Sequence, residues 1–572
     1  MKNLFLYFLL LTVSQLSKAQ TESFEWVKQI PGNVQIRIMN SILDHQKNTL
    51  LTGDFDGTFD FDTGSGVDYL VSDSSSDGFL AKYSHEGNYI WSKHFKSDQE
   101  ININSINLDS EGNIILCGNF LGTVDLDPGI GIVNFSESSS SLGAHSFICK
   151  LDSLGNYLWA KDMQSSHANS IAIDEFGNIH ITGGFTGTVD FDPDSTINQL
   201  TSGFYGGDTY ILKLDNNGEF IWVKQFYSGT TVNYGVVISL DDSHNILTTG
   251  RMNGNTDFDP TLDNNYDIDT NGEEDLYICK LDSDGDFIWA KNIGGVNNDR
   301  PSSLLTDQYN NIYLTGYFQD SIDIDPGLNI QTINSTGNFN SFLLKLDSAG
   351  NYNWSIPYQS LQEIYVKNFT FDALGDIYTT GDFKGTVDFD PSPNSFTLNS
   401  VNQGVFIQKL NSLGEFVWAK KITSEDEKVS SASICVDDSF EVYTTGGFTG
   451  YTDFGVGTPN QFLNKVSQFY GYDFDGFIHK ISQPISTVGI SELNTVGQYT
   501  ISPNPATNFV QLSLGGQHNY QITILDITGK HKERLLSDQE NLTLDVSKYT
   551  PGIYFINIKD KYGAEVLKLV VE

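Results

Sequence analysis

The chain is poor in cysteine (4), proline (14) and cationic side chains, with 32 Lys and Arg against 72 Asp and Glu in 572 residues. Each shortage excludes something. A formal net charge of −40 and a pI near 4.3 repel phosphate backbones and anionic lipid headgroups, so no nucleic-acid partner is expected. Past the first 20 residues no apolar run approaches the roughly 20 residues needed to cross a bilayer, so no transmembrane segment is expected. The cysteines stand where related segments carry other small or apolar residues: Cys149 and Cys279 match Ala81, Leu212 and Leu344, and Cys117 matches Thr52 and Thr182. Cys435 likewise matches Ala172 or Asn107. This pattern predicts buried free thiols rather than a disulfide framework, and no Cys/His spacing for zinc is present.

What the chain does have is glycine (53) and aromatic residues (13%), a composition suited to many short strands joined by glycine turns. It is also too long for one core, since single cores stop growing near roughly 250 to 300 residues. At the amino end, Lys2 precedes the apolar run Leu4 to Val13, and Ser17-Lys18-Ala19 places small residues ahead of Gln20. This predicts a secretory signal peptide over 1–19, cut between Ala19 and Gln20. No cysteine follows that junction to accept lipid.

The tryptophans, at 26, 91, 159, 222, 289, 354 and 418, are spaced 65, 68, 63, 67, 65 and 64 residues apart. A Thr-Gly or Cys-Gly pair keeps the same beat, with glycine at 53, 118, 183, 250, 316, 381 and 446. Each unit reads as four short strands, for example Tyr89 to Phe95, Ile103 to Leu108, Ile114 to Cys117 and Phe147 to Leu151, separated by turns such as Asp152-Ser153-Leu154-Gly155-Asn156. After the last Thr-Gly the unit stops at Gln483-Pro484 without a Trp strand, whereas Phe24 to Lys28 is an orphan Trp strand at the other end. Pairing the two predicts an all-β, seven-bladed β-propeller over 20–482, closed by the N-terminal strand and leaving no bare sheet edge. The tryptophans then read as packing between blades rather than sugar platforms.

Six units carry an aspartate pair after the Thr-Gly strand: Asp60/Asp62, Asp125/Asp127, Asp190/Asp192, Asp257/Asp259, Asp323/Asp325 and Asp388/Asp390. The seventh reads Asp453 and then Gly455. The residue between is always apolar, so both carboxylates share the face opposite the core. Two readings stay open. Paired carboxylates beside turn carbonyls offer the oxygens that Ca²⁺ needs, six to eight of them, which makes calcium the one cofactor the sequence suggests. An aspartate before Pro-Gly, as in Asp127-Pro128-Gly129, also starts a turn by bonding its own backbone. Carboxylates about 6.6 Å apart repel by only about 0.6 kcal/mol in water, so exposed pairs need no cation.

Between each pair and the next strand lies a stretch of changing composition: Thr63 to Asp77, Gly129 to His145, Asp194 to Asp208 and Gly455 to Asp475. These read as loops on one part of every blade, where recognition of an extracellular protein or glycan would sit. Catalysis needs one nucleophile, one base and one orienting group in one place. Here His85, His145, His167, His180 and His244 are scattered, and no nucleophile elbow, His-Glu-x-x-His or phosphate-binding glycine loop is present. Arg251 and Arg300 break the repeat and read as surface charges. The expected role is a non-catalytic binding or adhesion module, with a secreted hydrolase of glycans or peptides, its site on one propeller face, as the alternative.

The repeat ends in a polar linker over 483–497, and alternating runs at Phe509 to Leu514, Tyr520 to Leu525, Leu542 to Val546, Ile553 to Ile558 and Val566 to Val571 predict a small β-sandwich over 498–572. Pro503-Asn504-Pro505-Ala506, Asp526-Ile527-Thr528-Gly529-Lys530, Asp545-Val546-Ser547, Gly552-Ile553-Tyr554 and the closing Leu567-Lys568-Leu569-Val570-Val571 occur in order at the chain end. In these motifs the tail resembles the type A C-terminal sorting domain of the bacterial type IX secretion system. It departs at His531-Lys532, where that family returns to an apolar residue. The units Gly187-Thr188-Val189-Asp190-Phe191-Asp192-Pro193 and Lys150-Leu151-Asp152-Ser153-Leu154-Gly155-Asn156 are similar to the propeller cargo often joined to such tails. The resemblance implies export through the type IX machinery to the surface or exterior of a Gram-negative bacterium, with the tail removed on arrival.

Overall fold

The computed structural model describes residues 22–72, 76–136, 145–193, 196–203, 207–229, 231–261, 264–456, 461–465, 473–483, 499–514, 520–526, 531–550, 552–560 and 563–571. The expected signal peptide with its Ala19/Gln20 junction lies outside these residues, as does the expected linker apart from Gln483. Every regular element among the described residues is a strand.

Seven four-stranded antiparallel units follow one another, two of them continuing into an adjoining hairpin. In the first, Gln35–Leu43, Thr49–Asp56, Asp77–Tyr83 and Tyr89–Phe95 lie side by side in chain order. The last unit has only Val429–Val436, Val442–Phe448 and Asp475–Ser482 from its own stretch, and its outer place is taken by Ser23–Ile30. That strand runs antiparallel to Asp475–Ser482, with Val27 opposite His479 and Ile30 opposite Gly476. The orphan Trp strand therefore pairs where the sequence leaves a gap.

Apolar side chains pack between successive units. Leu50 and Leu80 of the first join Ile101, Ile103 and Leu116 of the second, and Ile30 and Ile478 of the last join Ile36, Phe55 and Phe79 of the first. A buried lysine stitches the same seams. Lys82 pairs with Asp44 at 2.8 Å and donates to the Ser153 carbonyl of the next unit, and Lys150, Lys213 and Lys280 reach Asn216, Ser283 and Ser348 in the same way. Lys480 of the last unit donates to the His85 carbonyl of the first at 3.1 Å, repeating that contact across 395 residues of chain.

The tryptophans are partly buried against these cores, as expected for packing. Six of them meet the left-handed glycine in a turn of the following unit: a Cβ on Gly218 (φ 81°) would lie 3.0 Å from Trp159, and one on Gly350 (φ 77°) 3.1 Å from Trp289. Trp418, the seventh, is itself buried. Its indole N–H instead donates to Gln483 at 3.2 Å, and Gln483 also bonds Tyr378 and the Phe440 carbonyl. All four cysteines are free. Burial pushes the thiols of Cys117, Cys149 and Cys279 far up, and that of Cys435 to about 11.

The stretches read as variable loops contain more order than the sequence suggests. Thr58–Asp60 pairs with Tyr69–Val71, Thr123–Asp125 with Asn134–Ser136 and Thr188–Asp190 with Gln199–Thr201, so each of these stretches supplies the return arm of a short hairpin. The tail forms two antiparallel sheets over one core that includes Val510, Ile522, Leu544, Ile556 and Leu569. One of its strands, His531–Ser537, begins at the departure from the tail motif and pairs with Tyr520–Asp526 through an irregular register between Ile524 and Leu525.

Candidate functional site

The Thr-Gly beat has a steric origin that leads to the site. At each beat glycine, an added Cβ would collide with a carbonyl oxygen of the unit's first strand: 1.9 Å from Arg37 at Gly53, 1.7 Å from His167 at Gly183, and 2.5 Å from Arg300 at Gly316. The close approach coincides with a β-bulge. The register skips one residue between Ile38 and Asn40, and the same skip recurs in the first strand of every unit. A bulge re-aims the extra side chain, and only glycine lets the neighbouring strand come near enough to tolerate it.

The skipped residues are Met39, Asn104, Asn169, Val236, Ser302, Lys367 and Ala432, each fourteen positions before its glycine. All of them line one cavity of about 810 Å³, to which the first strand of every unit contributes. Three reach across to the next unit: Asn104 donates to the Ala168 carbonyl at 2.9 Å, Asn169 to the Gly235 carbonyl at 2.8 Å, and Lys367 to the Ser431 carbonyl at 3.0 Å. The sequence reading missed this position. The signal was available as a fixed offset of fourteen positions from a repeated glycine, at which residue type changes freely.

Arg251 and Arg300, read from sequence as isolated surface charges, meet here. They come from neighbouring units, line the same cavity, and share the Glu274 carboxylate at 3.4 and 2.6 Å. Arg251 also lies over the Tyr234 ring, 5.4 Å from its centre. Lys367 pairs with Asp382 at 2.7 Å. A second cavity of about 810 Å³ adjoins the first, sharing Ser302, Tyr317 and Lys367 with it and adding Tyr365, Asp382 and Gln403. Tyr317 and Tyr365 meet edge to face at 5.2 Å between ring centres, and burial with nearby Glu363 pushes the Tyr365 hydroxyl up to about 12.

The aspartate pairs lie in the short hairpins. Oδ1 of Asp60, Asp125, Asp190, Asp323 and Asp388 accepts the backbone N–H two residues on and again that eight residues on, and Asp257 does the same with Asp259 and Tyr266. Asp62, Asp127 and Asp325 accept from Gly64, Gly129 and Gly327 at 2.8 Å, Asp259 from Thr261 and Asp390 from Ser392. Asp192 instead accepts from the side chains of Thr196 and Asn198. One oxygen of nearly every carboxylate is thus engaged in closing its own turn. Among the described residues no group of three or more His, Cys, Asp or Glu is placed to hold a metal ion, and no helix is long and apolar enough to cross a membrane.

Comparison with known proteins bears on the two parts separately. The chain is 24% identical over 512 residues, 74% of its length, to an uncharacterized WD repeat-containing protein of Acanthamoeba polyphaga mimivirus. It is 26% identical over 125 residues, 21% of its length, to the regulatory protein FlaEY of Caulobacter vibrioides. It spans 35% and 13% of those two relatives. Among solved structures, an ulvan lyase of polysaccharide lyase family PL25 superposes with a TM-score of 0.38 at 10% identity, covering 73% of this chain and 93% of that one. PorZ, a surface component of the type IX secretion system of Porphyromonas gingivalis, superposes with a TM-score of 0.17 at 10% identity, covering 95% of this chain and 100% of that one. The family model for the secretion system C-terminal sorting domain matches residues 500–572, the segment that forms the two-sheet tail. The tail is therefore a type IX secretion sorting domain, and this chain is one destined for the cell surface or the extracellular space.

Proposed function

We propose that residues 22–483 form a seven-bladed β-propeller sealed by the N-terminal strand, and that after export it acts as a non-catalytic binding module whose extracellular ligand, a glycan or a protein, enters the cavity shared by the seven first strands. The propeller reading is supported by the pairing of Ser23–Ile30 with the last unit and by the Lys480 contact that repeats the seam between neighbours. The observation that carries the binding role is the ring of bulged residues: one backbone device, repeated in every unit, delivers seven side chains of six types to one cavity.

In the same reading the aspartate pairs close turns and position the hairpins that rim the units, and calcium has no part. A glycan and protein binding screen with the full-length protein tests the role. A ligand whose binding drops at least tenfold on Asn169→Ala or Tyr317→Ala, with melting temperature unchanged, supports it. Turnover of a glycan or peptide in the same screen, abolished by those substitutions, would replace it with the hydrolase reading.

A further inference from the structure

The charge of the shared cavity is the reverse of the charge of the protein. Across the chain, acidic residues outnumber basic ones 72 to 32. Arg251, Arg300 and Lys367 line the cavity, and among the described residues no Asp or Glu does. Arg251 and Arg300 have a single carboxylate between them, Glu274, which leaves one positive charge uncompensated. Their side chains keep 36% and 39% of their surface accessible, so both guanidinium groups present donors to the cavity while anchored from behind. Much of the remaining wall is amide and hydroxyl, with Asn102, Asn119, Asn169, Asn368, Ser170 and Ser302 beside the rings of Tyr234 and Tyr317; His167 and a smaller apolar share, Met39, Val236, Val237, Pro301 and Ala432, complete it. Amides and hydroxyls beside aromatic rings suit a polyhydroxylated ligand, and a guanidinium pair suits an oxyanion bidentately.

Long-range electrostatics narrows the class further. A chain of net charge −40 repels a polyanion over its whole surface, so a uniformly charged polysaccharide pays that repulsion along its length. A ligand with one acidic group that seats against Arg251 and Arg300, its remaining rings neutral, meets the local attraction with little of that repulsion.

Building on the binding role proposed above, we infer that the shared cavity takes an oligosaccharide bearing a single carboxylate or sulfate, with the acid held by Arg251 and Arg300 and the sugar hydroxyls by the asparagine and serine wall. The test is calorimetric titration of the full-length protein with trisaccharides that carry one terminal uronic acid or one sulfate and are otherwise uncharged, with the methyl ester and unsulfated counterparts, and with inorganic sulfate. Binding of an acidic trisaccharide at least tenfold tighter than its neutral counterpart is expected, weakened at least tenfold by Arg251→Gln or Arg300→Gln and several-fold by raising salt from 50 to 500 mM. Preference for the uronic acid or for the sulfated sugar assigns the source of the anion, and sulfate that competes without the sugar shows that the guanidinium pair acts alone. Each arginine variant is checked for an unchanged melting temperature; where one unfolds, Lys367→Gln, in the first strand of the unit after that of Arg300, replaces it, with a loss of at least threefold expected. Equal affinity for acidic and neutral sugars, still lowered by Asn169→Ala, would overturn this inference and leave the binding role standing. Binding of none of these sugars overturns the inference, and failure of the wider screen as well overturns both.

Discussion

Asp299 offers a sharp thermodynamic test of how the units are fitted together. It opens the first strand of its unit, is wholly buried, and its Oδ2 accepts the Gly295 N–H at 2.6 Å. Asp275, equally buried, accepts from Asn271 and Asn292, while Oδ1 of each carboxyl has no partner. Burial, with the Asp275 charge adding to it, raises Asp299 from an ordinary 3.8 to about 8. The folded protein then keeps this proton up to about pH 8, whereas the unfolded chain releases it near pH 4. Stability from this group is complete below the unfolded pKa and is lost as pH rises toward the folded one, at up to about 1.4 kcal/mol per pH unit and about 6 kcal/mol in all. For a folded unit of some 460 residues this corresponds to about 6 °C of melting temperature, at about 1 °C per kcal/mol. Asp299→Asn keeps the shape and removes the titration. Scanning fluorimetry at a fixed scan rate from pH 4.5 to 8.5 should show the difference, variant minus wild type, growing from near zero to several degrees. A difference that is flat in pH refutes the argument that Asp299 is buried with its proton on.

Other consequences follow from the seams and the turns. Lys280→Met leaves Asp241, paired with Lys280 at 2.7 Å and almost fully buried, without its counter-ion, and should cost about 3 kcal/mol at pH 7 in denaturant melts. Adding Asp241→Asn should restore most of that, and a single variant as stable as wild type would contradict the stitch. Gly183→Ala drives a methyl into the His167 carbonyl and should cost about 1–3 kcal/mol or block folding, whereas the same change at Gly187, with nothing within 4 Å, pays only for its φ of 76°. Chelation by EDTA should leave the melting temperature unchanged; a calcium site saturated at about 100 times its dissociation constant would instead add about 2.7 kcal/mol with the ion present. Removal of residues 500–572 should hold the protein in the periplasm, and normal export of the truncated chain would contradict the sorting role.

Much of this was legible because the repeat prints the same local chemistry many times. The Trp and Thr-Gly beats located the strands, and the orphan Trp26 strand pointed to its pairing with Asp475–Ser482. The apolar residue between paired aspartates proved fully buried at Phe61, Leu126, Phe191 and Phe258. What escaped was whatever depends on two chains of atoms at once. A bulge is a mismatch of register between strands, so Asn104 or Lys367 carries no mark of it in its own neighbourhood. Arg251 and Arg300 lie 49 positions apart, and only the packing of adjacent units brings both onto Glu274. In the tail, His531 and Lys532 hid the strand His531–Ser537, because an edge strand with an irregular register tolerates polar residues that a central one would not.

The most direct test of the account is a covalent lock across the seam between the chain's two ends. Ser23 and Ser482 are opposite each other with hydroxyl oxygens 2.7 Å apart, 459 positions apart in sequence. In Ser23→Cys/Ser482→Cys the thiols should oxidise within one molecule, read as a 2 Da loss by intact mass with the protein still monomeric. Closing so long a loop removes about 6 kcal/mol of unfolded-chain entropy, so melting temperature should rise and fall back on reduction. Free thiols after oxidation, or cross-linked dimers in place of the internal bond, would contradict a ring sealed by the N-terminal strand.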